Sequence, residues 1–124
     1  VDVRIYTPGV PDKPTIYQLT RSYFPHLLRA GVKIYSYTPG FLHAKTWLVD
    51  DRIAAVGTVN LDYRSLYLHF ENSVLIYGGA VLDDVRRDLA EIEKESAAVT
   101  LADCRTGFFG TLYSAVLRLV APLC

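Results

Sequence analysis

HAKTWLVDDRIAAVGTVN, residues 43–60, reads as two short strands folded back on one another. Lys45 to Asp50 is rich in aromatic and β-branched residues, which suit a pleated, half-buried surface. Asp50-Asp51-Arg52 is a turn, and Ile53 to Val56 is a second, more buried strand that runs into Gly57. Side chains two apart on an extended chain share a face. His43 and Lys45 therefore stand side by side, as do Thr58 and Asn60, and antiparallel pairing brings all four to one end of the sheet. Asp50 lies an odd number of residues from Lys45, so it faces away, and hydrogen bonding within the turn suits it better than a direct chemical role.

The chemistry that suits this cluster is phosphoryl transfer. A neutral imidazole, His43, can attack phosphorus. Lys45, Thr58 and Asn60 supply donors where negative charge develops on phosphate oxygens. Glu71 closes the stretch, and its carboxylate can hold the second nitrogen of the His43 ring and support the cation formed on attack. Lysine and amide donors neutralise the phosphate, so neither metal nor cofactor is required. Between Asn60 and Glu71, Arg64 and Ser65 either hold the loop or touch a phosphate, Tyr63 and Tyr67 suit packing, and His69 reads as a strand-edge residue.

Outward from this stretch, strands alternate with helices. Val1 to Tyr6 is a strand, and residues 8–14 form a proline-rich loop. Thr15 to Ala30 is helical, with Pro25 as a kink or break and Gly31 as a cap, and Val32 to Tyr37 is the next strand. His26 in that helix reads as a surface or half-buried residue. After the central stretch, Phe70 to Tyr77 is a strand, Ala80 to Ala97 an amphipathic helix, and Phe108 to Leu123 a second helix ending near Pro122. The last segment falls short of the ~20 apolar residues of a membrane span and contains Arg118, so packing on the sheet is its better role. The alternation implies an α/β domain with a mixed β-sheet flanked by helices.

Composition sets the outer bounds. The 124 residues make one domain, 1–124, and 51% hydrophobic content supports a buried core. The formal net charge is zero, which removes a general electrostatic pull on nucleic acid. Cys104 and Cys124 allow one disulfide at most, and Cys104 stands apart from any thiol or histidine motif that could bind metal. The absence of methionine and the apolar opening suggest a piece excised from a longer chain.

His43-Ala-Lys45, Asp50, Gly57-Thr58-Val59-Asn60 and Glu71 together resemble the H-x-K-D signature of the phospholipase D superfamily, with Thr58 where serine is more usual. The flanks, Ala30 to Tyr35, Asn60 to Ser65 and Arg118 to Leu123, are similar to the C-terminal half of bacterial cardiolipin synthases. The resemblance implies an α/β/α sandwich forming one half of a two-lobed enzyme. It also implies phosphatidyl transfer between two phosphatidylglycerol molecules through a phosphohistidine, with His43, Lys45, Asp50 and Glu71 in the catalytic set. Family members use two such motifs, and this chain has one. The second comes either from a preceding segment in cis or from a homodimer, and the parent protein works at the cytoplasmic membrane surface. The alternatives are a dimeric single-motif phosphodiesterase or nuclease, and a catalytically incomplete half-domain that only docks.

Overall fold

A computed structural model describes residues 1–123. Its elements run β1 (Arg4–Pro8), α1 (Pro14–Arg29), β2 (Lys33–Tyr37), β3 (Thr46–Val49), β4 (Ile53–Gly57), α2 (Tyr63–Tyr67), β5 (Ser73–Tyr77), α3 (Val81–Lys94), β6 (Ser96–Ala98) and α4 (Phe108–Leu119). A 3₁₀ turn at Ala121–Leu123 follows. The chain is α/β, as the alternation of patterns implied. Cys124 lies outside the described residues, and with it the possible pairing to Cys104.

The central hairpin forms with β3 antiparallel to β4 from Thr46↔Val56 to Val49↔Ile53. Its turn is tight: Asp50 and Asp51 have φ of 49° and 53°, and the Arg52 amide donates to the Val49 carbonyl at 3.0 Å. Aspartate tolerates this left-handed backbone better than most residues, which is why an Asp-Asp pair can turn the chain without glycine. β5 adds to β4 to complete an antiparallel three-stranded sheet.

The other strands make a second sheet in the order β1-β2-β6. β1 and β2 run parallel and are joined by α1, the crossover that parallel strands require. β6 pairs antiparallel with β2, so this sheet is mixed. The strands thus divide into two small sheets rather than one. Between β2 and β3 the chain passes through Thr38-Pro39-Gly40, where proline lacks a ladder donor and no strand is formed until Thr46.

β6 is a departure from the sequence pattern, which extends the helix over 80–97. The helix stops at Lys94, and the Ser96 hydroxyl donates back to the Ile92 carbonyl at 2.6 Å. Such local bonds compete with helix continuation, and pairing with β2 then draws Ser96-Ala97-Ala98 into an edge strand. Pro25, by contrast, stays inside a single α1.

The mixed sheet is covered on both faces. Ile34, 1% exposed, packs with Phe24 of α1 and Val99, and α1 in turn packs Leu19 against Leu117 and Ala121 at the end of the chain. Its neighbour Tyr35 points the other way and stacks on Tyr6 at 5.3 Å. There the Tyr6 hydroxyl donates to Glu93 of α3 at 2.5 Å, beside an Arg4–Glu93 ion pair. Burial, reinforced by the Glu93 carboxylate, pushes the Tyr6 phenol up to about 12. α3 also reaches the antiparallel sheet, where Leu82 and Ala54 are both buried. The opposite face of that sheet is open: Trp47, Val49, Leu75 and Tyr77 are all exposed.

Candidate active site

The β3–β4 hairpin and the segment leading into β5 bring the stretches that carry most of the predicted cluster to one end of the antiparallel sheet. His43 and Lys45 lie in the segment just before β3, and the Gly57 amide donates to the Lys45 carbonyl at 3.2 Å, extending the hairpin ladder by one step. The His43 ring stacks on Phe41 at 5.5 Å and is otherwise exposed. The Lys45 ammonium donates to the His43 carbonyl at 2.9 Å. It retains two further hydrogens for an incoming anion.

Gly57 is where the site and β5 meet. A methyl group there would sit 2.2 Å from Ser73 Oγ and 2.3 Å from the Asn72 carbonyl oxygen. Only glycine permits this approach, and it puts Thr58 beside the chain that carries Glu71. The Thr58 amide donates to the Asn72 carbonyl at 3.0 Å, and the Asn72 amide donates to the Thr58 hydroxyl at 3.0 Å. The Thr58 hydroxyl in turn donates to Glu71 Oε2 at 2.5 Å. A hydroxyl has one hydrogen, so in this state Thr58 clamps Glu71. It becomes a phosphate donor only by releasing that bond.

Glu71 therefore occupies a different place from the one the sequence suggested. The sequence suggests its carboxylate behind the His43 ring, yet no hydrogen bond joins the two among the described residues. Its carboxylate instead takes the Thr58 hydroxyl and lies 3.7 Å from His69 Nδ1. The Thr58 hydroxyl, then the Ser65 hydroxyl, and further off the Lys45 ammonium hold Glu71 below the usual carboxylate range. Ser65 is buried in α2, whose N-terminus is capped by Asp62 accepting from the Ser65 amide at 2.8 Å.

His69, which the sequence reads as a strand-edge residue, lies instead in the bend between α2 and β5, beside Glu71. Its Nε2 accepts from Arg64 Nε at 3.1 Å, which leaves Nδ1 as the protonated nitrogen facing Glu71. Arg64, His69, Glu71 and Thr58 form one polar chain under the site.

Asn60 is exposed beyond Thr58. Asp50 is not brought in. It sits in the turn at the opposite end of β3, five residues and about 16 Å from Lys45 along an extended strand. Its role is in the hairpin geometry. His26 lies on α1, with its Nε2 3.4 Å from Arg118 Nη1.

The clamp has a pH signature. A carboxylate with a lowered pKa stabilises the fold above its unfolded value, and that contribution is lost as pH falls through the lowered folded value. Thr58→Ala removes the main cause of the lowering, so the Glu71 titration moves up toward the ordinary range and the acid-labile limb begins at higher pH. Thr58→Ser keeps the hydroxyl and leaves the titration near wild type. Carboxyl NMR of the three proteins checks this, and an unmoved Glu71 in Thr58→Ala would remove the clamp.

The family described as "Cardiolipin synthase, PLD-like domain" matches residues 1–92. An uncharacterized protein of Streptococcus mutans is 50% identical over 99% of this chain, which spans 27% of that relative. Cardiolipin synthases of Clostridium perfringens and Geobacillus kaustophilus are 41% and 39% identical, again over 99% of the chain, which spans 26% and 25% of them. The chain thus spans about a quarter of the length of these curated relatives.

Proposed function

The chain belongs to the phospholipase D-like domain family of cardiolipin synthases, and from that premise we propose that it is one catalytic half of a phosphatidyltransferase. The observation that supports this reading is that the β3–β4 hairpin sets the segment bearing His43 and Lys45 beside the one bearing Thr58, whose hydroxyl holds Glu71. An exposed imidazole, a lysine with free hydrogens and a held carboxylate are the components of a phosphohistidine site.

In the proposed reaction a His43 ring nitrogen attacks the phosphorus of one phosphatidylglycerol. The phosphorus–oxygen bond to the headgroup glycerol breaks, and the glycerol leaves with a proton from the histidine of the second motif. Lys45 and Asn60 hold the non-bridging oxygens, joined by Thr58 once it turns from Glu71. The second histidine, now neutral, deprotonates the free hydroxyl of another phosphatidylglycerol, which attacks phosphorus, frees His43 and yields cardiolipin.

The second histidine comes from another H-x-K-D half, in cis or in a homodimer. The open setting of His43 and the uncovered apolar face of the β3-β4-β5 sheet support completion by such a half. The substrate places the reaction at the cytoplasmic membrane surface. No helix among the described residues is long and apolar enough to cross a membrane.

The test is a rapid acid-free quench of the two-motif protein with phosphatidylglycerol labelled at phosphorus, followed by peptide mapping. The expected adduct is on His43. Label on the other motif's histidine would make His43 the proton donor instead, and no histidine adduct at all would overturn the covalent mechanism.

A further inference from the structure

Away from the His43 cluster, a cleft of about 500 Å³ opens between α1, the 101–106 loop and α4. Four arginines line it: Arg21 and Arg29 from α1, Arg105 from the loop, and Arg118 from α4. Their convergence follows from helical spacing. Residues 18, 21, 22, 25 and 29 form one face of α1, and residues 111, 114, 115 and 118 form the facing side of α4.

The cleft is short of negative charge. The ion pairs among the described residues use Arg4, Lys33, His69, Arg86 and Arg87, and none of the four cleft arginines. One carboxylate shares the wall, Asp103, and it is turned back onto the Thr100 amide and hydroxyl at 2.8 and 2.7 Å. Two of the arginines are fixed in place. Arg21 lies over the Phe24 ring and donates to the Asp103 carbonyl, while Arg118 lies over Tyr23 and donates to Ser22. Arg29 and Arg105 are exposed at the rim.

A position in the last turn of a helix explains a single cation there by the helix dipole, as for Arg29 or Arg118. It does not explain four guanidinium groups on three separate segments around one cavity. Like charges so gathered repel, and the arrangement is relieved by a bound anion. Guanidinium is the donor whose flat fork matches phosphate oxygens two at a time. Ser22, Thr106, Thr111 and Ser114 line the same wall, the Ser22 and Thr111 hydroxyls donating to the Leu19 and Gly107 carbonyls.

We propose that this cleft is a binding site for a phosphate ester, with Arg29 and Arg105 as the gripping residues and Arg21 and Arg118 as the preset wall. The ester has two possible sources, an anionic lipid headgroup or a soluble phosphate. Phe108 and Leu112 of α4 are exposed on the turns adjoining the cleft face, which suits a headgroup whose chains lie alongside the helix.

The test compares wild type with the double variant Arg29→Gln/Arg105→Gln, with Arg87→Gln as a control for the loss of a cation elsewhere. Arg29 and Arg105 are exposed, so the double variant is expected to fold, and near-ultraviolet circular dichroism verifies this. Inorganic phosphate is titrated by calorimetry, and flotation is measured with phosphatidylcholine vesicles with and without phosphatidic acid. Phosphate binding is expected to weaken by about tenfold or more in the double variant and to stay unchanged in the control. Loss of flotation on phosphatidic acid vesicles in parallel identifies the headgroup. Loss of phosphate binding with unchanged flotation identifies a soluble ester. Phosphate binding absent from wild type, or equal in wild type and double variant, overturns the site.

Discussion

Replacing His43 by Asn in the two-motif protein should reduce cardiolipin formation by about 10³-fold or more, with the fold intact. Asparagine approximates the size of the ring and retains polarity, but it can neither attack phosphorus nor carry a proton at neutral pH. His43 is exposed and its ring contacts Phe41 by stacking, so little stability depends on it. The loss should therefore fall on kcat, while Lys45 and Asn60 keep the affinity for the phosphate near wild type. Thin-layer separation of labelled phospholipid products reads the rate, and thermal unfolding controls for the fold. Near-normal cardiolipin from the His43→Asn protein would remove His43 from the chemistry and with it the proposed reaction.

The second large effect is structural and reaches the site through the backbone. Gly57→Ala should cost about 3 kcal/mol of stability, at the upper end of what overpacking usually costs. The added methyl would meet the Asn72 carbonyl oxygen at 2.3 Å and Ser73 Cα at 2.5 Å. These are backbone atoms, so no side-chain rotation relieves the clash. β5 must move away from β4 at the Gly57↔Ser73 pair, breaking the 3.0 Å hydrogen bond from the Thr58 amide to the Asn72 carbonyl and drawing Glu71 away from Thr58. Activity should fall together with stability, because the same displacement shifts the segments that carry Thr58 and Glu71 relative to the one that carries His43 and Lys45. Gly40→Ala is the matched control, since a methyl there meets nothing within 4 Å. Denaturant unfolding of the two variants decides it, and equal midpoints would mean that the strands yield more easily than the geometry implies.

Much of this site was legible in the order of residues. The spacing of His43 and Lys45, and the hairpin that follows them, depend on local chemistry. β-branched strands, an Asp-Asp turn able to enter the left-handed region and a glycine at the strand end specify where the chain reverses. Asp50 stands apart from the cluster because it lies in the turn, a full strand length from Lys45, where strand parity no longer applies. The H-x-K-D pattern likewise pointed to the family whose description matches residues 1–92.

What the order of residues left open are the partners chosen across long separations. Glu71 had an expected partner in His43, yet its neighbours are Thr58, Ser65 and His69, because β5 docks its first residues against Gly57 and turns the carboxylate toward the hairpin end. The helix pattern over 80–97 was strong locally, but pairing with β2 outweighs helix propensity at Ser96-Ala97-Ala98. The division into two sheets and the arginine cleft share this origin. Periodicity tells which face of each element is apolar or charged, whereas only the packing of α1 against α4 decides that four arginines meet around one cavity. Local sequence therefore determined the elements and the spacing of His43 and Lys45, and tertiary packing determined what surrounds them, because side-chain periodicity is set within an element while contacts between elements depend on how all of them bury their faces together.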